Sequence, residues 1–196
     1  VVEVEGFILA GGASSRMGAD KAGLVMGDET FVARAARALG RVAPRVSVVS
    51  SREEHALTGL PVVRDVHEGT GALGGIHAAL RACRAPWAAV VSCDLPFATG
   101  ELFARLASLA GEEVDAVAPV QTDGRIQPLC ALYAVATCLP ATEELLASGE
   151  HRPRALLKQL KTRWVTPAEL SDLSRAELFF VNVNTPEDYE SAKAMM

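Results

Sequence analysis

Apolar residues recur along the chain in two alternating rhythms. Phe7 to Ala10 form a short apolar run that empties into a glycine-rich loop. Phe31, Val32, Ala35, Ala36 and Leu39 then fall on one face of a helix, with Thr30 placed to cap it and Gly40 to stop it. Val46 to Ser50 and Leu60 to Val63 read as short buried strands, the second ending at Arg64 and Asp65. Gly69, Gly71, Gly74 and Gly75 predict a second glycine-rich turn, followed by helical spacing from Ile76 to Cys83. Trp87 to Cys93 is apolar throughout, as a central parallel strand covered on both faces should be, and it terminates in Asp94, Leu95 and Pro96. Beyond it come a helix over Leu102 to Leu109, a strand over Asp115 to Val120, a polar turn QTDGRIQ and the segment PLCALYAV as its antiparallel partner. Short helices at Thr142 to Leu146 and Pro153 to Leu160 flank the polar stretch SGEHRPR. A last strand over Leu178 to Asn184 leads into a helix with Thr185 as N-cap and Pro186 at its first position. Strand and helix alternate in the βαβ rhythm, which predicts an α/β protein with a doubly wound, mostly parallel sheet in a single domain spanning 1–196.

Composition narrows the function. A chain of 196 residues, 49% hydrophobic and 22% charged, can bury a core without disulfide staples. Its net charge of -5 offers no general attraction for nucleic acid or an anionic membrane, so a polyanionic ligand has to be held by a local cluster of cations. Cys83, Cys93, Cys130 and Cys138 contain no C-x-x-C pair and have no histidine at metal-ligand spacing. No basic leader and no apolar run approaching the ~18 residues of a membrane span is visible, and the expected location is the cytoplasm.

One such cluster is the loop GFILAGGASSRMGADK, residues 6–21. A strand that opens into glycines, hydroxyls, Arg16 and Lys21 has the makings of a phosphate cradle, because exposed backbone N–H groups can surround an anion where no Cβ intervenes. It is not a Walker loop: Lys21 stands three residues after Gly18 and is followed by Ala22. Nor is it the dinucleotide fingerprint, since its glycines fall at 11, 12 and 18.

In an open parallel sheet, ligands sit beyond the carboxyl ends of the strands. That rule selects the loop, Asp65, Asp94 and the pair Asn182 and Asn184, whose amides share one face while Val181 and Val183 share the other. A carboxylate closing an apolar strand is costly unless it meets a cation or donors. Asp94 is therefore a candidate Mg²⁺ ligand, with helix capping as the competing role. The four histidines form no Ser/His/Asp constellation, and the G-x-S-x-G elbow is absent. A phosphate oxygen is already ionised at neutral pH and needs no base, so the set suits transfer of a nucleotidyl group onto a phosphate acceptor.

LAGGASSRMGADK closely resembles the signature of molybdenum cofactor guanylyltransferases, and the likeness continues in order through GALGGIHAAL, CDLPF, GRIQPLCALY and NVNTPED. The resemblance implies a Rossmann-like nucleotidyltransferase fold and transfer of GMP from GTP to the phosphate of molybdopterin, with Mg²⁺ present and pyrophosphate released. It places Leu9, Ala10, Gly11 and Gly12 at the guanine nucleotide, together with Lys21, Ser50, Asp65 and Asp94. Arg16 and Lys21 would steady the triphosphate and the leaving pyrophosphate, and Asp94 would hold Mg²⁺. Gly71, Gly75, Asn182 and Asn184 would line the molybdopterin side with either Arg152 or Arg154. Molybdenum cofactor-handling proteins or apo-molybdoenzymes are the implied protein partners. Ala72 stands where proline is common, and Ser50 where some members carry Asn. The alternatives are a cytidylyltransferase for the same cofactor, which usually reads L-A-A-G at the start, and a non-catalytic nucleotide or cofactor carrier.

Overall fold

The structure is a computed structural model that describes residues 2–10, 23–51, 59–65 and 69–196. Its frame is a seven-stranded sheet made of β1 (Val4–Leu9), β4 (Val46–Ser50), β5 (Val62–Arg64), β6 (Trp87–Ser92), β7 (Ala116–Pro119), β8 (Cys130–Ala134) and β9 (Thr162–Val165), in the order β5-β4-β1-β6-β8-β7-β9. β5, β4, β1 and β6 run parallel, β8 is antiparallel to both its neighbours, and β7 and β9 are again parallel to each other. β2 (Val25–Met26) and β3 (Glu29–Thr30) form a separate hairpin turning at Gly27, whose φ of 65° favours glycine.

The apolar strands predicted at the centre are there because helices cover both faces. α1 (Phe31–Leu39) and α3 (Gly100–Ser108) pack over Ile8, Val48, Val91 and Leu132. On the other face α2 (Gly71–Ala82), α4 (Val135–Ala147) and α5 (Pro153–Gln159) pack over Phe7, Leu9, Val90 and Tyr133. His77 is buried there and faces Glu143 at 3.5 Å. A third apolar cluster joins Met26, Phe31, Phe97 and Val183 to Ala192 of α6 (Pro186–Ala194). The caps read from sequence are present. The Thr30 and Thr185 hydroxyls accept from Ala33 and Asp188 N–H, and Pro186 opens α6.

Four expectations are corrected. Leu178–Asn184 is not a strand: a 3₁₀ turn covers Ala176–Leu178, Phe179 and Phe180 continue as a turn closed by Val181 N–H to Leu178 O at 3.0 Å, and 181–184 have no regular secondary structure. Its alternation survives, with Val183 buried and Asn182 and Asn184 exposed. The second glycine turn belongs to α2, which starts at Gly71. A Cβ on Gly75 would touch the Leu9 side chain at 3.4 Å and one on Gly74 would collide with Thr70 Oγ1, so these glycines permit close packing of the helix. The strand of PLCALYAV ends at Ala134, and the helix expected at Thr142 begins at Val135 and runs through Pro140. β9 was not expected at all.

One acid holds the end of the sheet at which β1 and β6 begin. Glu5 in β1 accepts from Arg45 Nε at 2.5 Å, from Ala85 N–H at 3.3 Å and from Arg84 N–H. Burial pushes its carboxyl upward, but these donors outweigh it and hold the pKa below the usual carboxylate range. A depressed pKa stabilises the fold above the unfolded value of about 4.3, and the contribution is lost as pH falls through the folded value. Glu5→Gln should therefore lower stability in urea unfolding at pH 7 by about 1–3 kcal/mol. The gap from wild type should close on acidification below about pH 4; a gap that stays constant with pH would exclude the ionised form as its source.

Candidate functional site

The carboxyl ends of four parallel strands lie side by side. Leu9 pairs with Val49 on one flank and Ser92 on the other, and Ser50 pairs with Arg64, so Arg64, Ser50, Ala10 and Cys93 form one row. The ladder is closed by Ala10 N–H to Val49 O at 3.0 Å and Cys93 N–H to Leu9 O at 3.1 Å. Asp65 and Asp94 each follow this row by one residue, three strand spacings or about 14 Å apart. The chain leaves β1 and β6 in adjacent positions at the point where the strand order reverses, which is where doubly wound folds form their crevice.

Local structure decides which atoms a ligand could meet. Leu9 and Ala10 turn their side chains into the two apolar layers, 5% and 7% exposed, leaving backbone to face a ligand. Ser50 is 1% exposed. Asp65 projects toward α2, where a Cβ on Gly74 would sit 3.3 Å from its Oδ1. Asp94 is half-buried with Oδ1 fully enclosed, and the following turn is fixed by Leu95 N–H to Ser92 O and Ala98 N–H to Leu95 O, both 3.2 Å. Gly11, Gly12, Arg16 and Lys21 lie outside the described residues.

The segment bearing the two amides is latched to this crevice, since Val183 N–H donates to Asp94 O at 3.0 Å. The capping box of α6 holds its other end: Asp188 Oδ2 accepts from Asn184 and Thr185 N–H, each at 2.9 Å. Thus Asn182 and Asn184 flank the residue that touches the Asp94 backbone. Gly71 and Gly75 belong to α2, where Gly75 packs on Leu9 and the first turns of the helix adjoin Asp65.

The family described as MobA-like NTP transferase domain matches residues 6–164. The chain belongs to this family. It is 38% identical to a probable molybdenum cofactor guanylyltransferase of Pelotomaculum thermopropionicum, over all of this chain and 94% of that one. It is 34% identical to a molybdenum cofactor guanylyltransferase of Rhizobium leguminosarum bv. trifolii, covering 97% and 92%. Among solved structures, molybdopterin-guanine dinucleotide biosynthesis protein A of Archaeoglobus fulgidus is similar with a TM-score of 0.80 and 25% identity, over 97% of each chain. The 2-C-methyl-D-erythritol 4-phosphate cytidylyltransferase of Thermus thermophilus shares the fold, with a TM-score of 0.72 at 21% identity over 98% of each chain.

In this MobA-like chain Asn182 also forms the wall between two cavities. One, of about 650 Å³, lies between the β7–β8 turn and the 167–182 segment and is lined by Gln121, Phe180 and Val181 among others. The second, of about 630 Å³, is lined by Arg125, Arg152, Arg154, Lys158 and Asn182. Arg125 lines both. These cations differ in commitment. Arg152 Nε reaches Glu150 Oε1 at 2.7 Å, and this guanidinium drives the Glu150 pKa down to about 2. Arg125 Nε likewise meets Asp123 Oδ2 at 2.6 Å. Among the described residues, neither Arg154 nor Lys158 has a carboxylate partner.

Arg125 and Lys158 were missed from sequence. The signal for Lys158 was available, since Arg154 and Lys158 stand four apart and share a helix face. Arg125 carried none beyond membership of a polar turn. Burial pushes the thiols of Cys83, Cys130 and Cys138 up to about 12, so these three are protonated at neutral pH.

Proposed function

We propose that the chain is a molybdenum cofactor guanylyltransferase, transferring GMP from GTP to the phosphate of molybdopterin and releasing pyrophosphate. The observation that carries this reading is the latch between Asp94 and Val183, which joins the switch-point crevice to a segment whose Asn182 opens onto a cation-lined cavity. Such an arrangement serves two phosphorylated substrates meeting end to end. The names of the relatives point the same way.

In this reading Leu9, Ala10, Gly11 and Gly12 present backbone to the guanine nucleotide, with Ser50 and Asp65 along the same edge. Arg16 and Lys21 hold the triphosphate. The acceptor occupies the side lined by Gly71, Gly75, Asn182, Asn184 and Arg152 or Arg154, with Gly75 also letting α2 pack against Leu9. An oxygen of the acceptor phosphate attacks the α-phosphorus, and the bond from that phosphorus to the bridging oxygen breaks. Pyrophosphate leaves with the electron pair. No side chain has to remove a proton, so the protein's contribution is alignment and neutralisation of charge.

Mg²⁺ fits the donors present. Among the described residues there is no group of three or more His, Cys, Asp or Glu that could form an all-protein cage. A lone oxygen donor such as Asp94 suits a hard ion that completes its octahedron with phosphate and water. When bound, it would neutralise phosphate charge beside Asp94. The location proposed is the cytoplasm, and no helix among the described residues is long and apolar enough to cross a membrane. Delivery of the product to cofactor-handling proteins or apo-molybdoenzymes belongs to the same proposal.

The test is pyrophosphate release with molybdopterin and each nucleoside triphosphate in turn. GTP should be consumed in clear preference to CTP and only with Mg²⁺. Preference for CTP would make the chain a cytidylyltransferase, and tight GTP binding without turnover would make it a carrier.

A further inference from the structure

The hairpin β2–β3 follows the glycine loop in the chain, and the Asp94 turn lies across from it. A single side chain is bonded to both. Arg34, on α1, donates from Nε to Pro96 O at 3.0 Å and from Nη1 to Met26 O at 3.3 Å. Its side chain is 17% exposed and lies 3.9 Å from Glu29 Oε2. Glu29 is itself engaged by Arg37, whose Nη2 donates to Oε2 at 2.9 Å. Met26 also packs with Phe31 and Phe97, so the hairpin, α1 and the Asp94 turn meet in one apolar cluster.

A guanidinium suits this work because its donors are fixed in a planar fork and it stays charged at every working pH. Both acceptors are backbone carbonyls, which tie down the chain itself. Pro96 is two residues beyond Asp94, and Met26 begins the turn that follows the loop carrying Lys21.

We infer that Arg34 is a positioning residue, setting the Asp94 turn at a fixed distance from the segment that continues the phosphate-binding loop. It acts through Asp94 and touches no substrate. The inference rests on the assignment of Asp94 to the metal made above. It predicts that metal affinity in the nucleotide complex depends on Arg34, whereas nucleotide affinity without metal does not.

Arg34→Lys keeps the charge and the aliphatic stem but replaces the fork with one ammonium. The measurement is binding of Mn²⁺ to the protein saturated with α,β-methylene GTP, read by EPR of the free ion, alongside binding of that analogue in EDTA. Arg34→Lys should weaken Mn²⁺ by about tenfold or more, the usual effect of removing a residue that orients a metal ligand. Metal-free affinity for the analogue should be unchanged. Tyr189→Phe is the control for loosening alone, because the Tyr189 hydroxyl donates to Val25 O in the same hairpin without reaching Pro96. Unchanged Mn²⁺ affinity in folded Arg34→Lys, or an equal loss in Tyr189→Phe, would overturn the role of Arg34. Unchanged Mn²⁺ affinity in Asp94→Asn is a separate failure that removes Asp94 from the metal site.

Discussion

Asp94→Asn should reduce turnover by about 10²-fold or more while leaving the protein folded. The substitution keeps the shape of the side chain and replaces one charged oxygen with an amide. Every backbone bond that fixes the turn survives it: Leu95 N–H to Ser92 O, Ala98 N–H to Leu95 O and Val183 N–H to Asp94 O. The melting temperature should therefore move by only a few degrees, about what a 1 kcal/mol change produces in a chain of this length. The loss should appear in kcat, because charge builds on the pyrophosphate oxygens as the bond breaks and their stabilisation is needed most at that moment. Assays of pyrophosphate release over a range of Mg²⁺ concentrations check this. Activity within severalfold of wild type at ordinary Mg²⁺ would show that Asp94 does not carry the metal.

The frame of this site was legible in the sequence where one physical cause dominated. β1, β4 and β6 are apolar because helices cover both faces, and Thr30 and Thr185 are caps because the first turn of a helix needs an acceptor. The reading failed where two causes competed. Gly74 and Gly75 have poor helix propensity and read as a turn, yet they lie within α2, where their missing Cβ atoms allow close approach to Thr70 and Leu9. The helix expected only from Thr142 starts at Val135, and α4 runs through Pro140, which has no N–H to donate. No strand forms at Asn182 and Asn184, yet both are exposed on either side of buried Val183, so the expected alternation of burial is present without the strand that predicts it. The cations of the second cavity were harder to find. Arg152 and Arg154 look equivalent in SGEHRPR, and only the fold shows that Glu150 curls back onto the first of them.

That asymmetry sets the second large effect. Removing Arg154 and Lys158 together should raise KM for molybdopterin by about tenfold or more for each cation that contacts the acceptor. A hydrogen bond between charged groups contributes about 1.5–3 kcal/mol, and tenfold in affinity corresponds to about 1.4 kcal/mol. Arg152→Ala should cost less, because its guanidinium is already neutralised by Glu150. With a carboxyl pKa held at about 2, that pair stays ionised and is lost only as pH falls through that value, so it persists at every usable assay pH. KM for GTP should be unchanged in both variants, since none of these residues adjoins the row formed by Ser50, Ala10 and Cys93. Steady-state kinetics with each substrate varied in turn separates the possibilities. A rise in KM for GTP, or an effect of Arg152→Ala equal to that of the double variant, would show that the cavity of about 630 Å³ does not bind the acceptor's phosphate through Arg154 and Lys158.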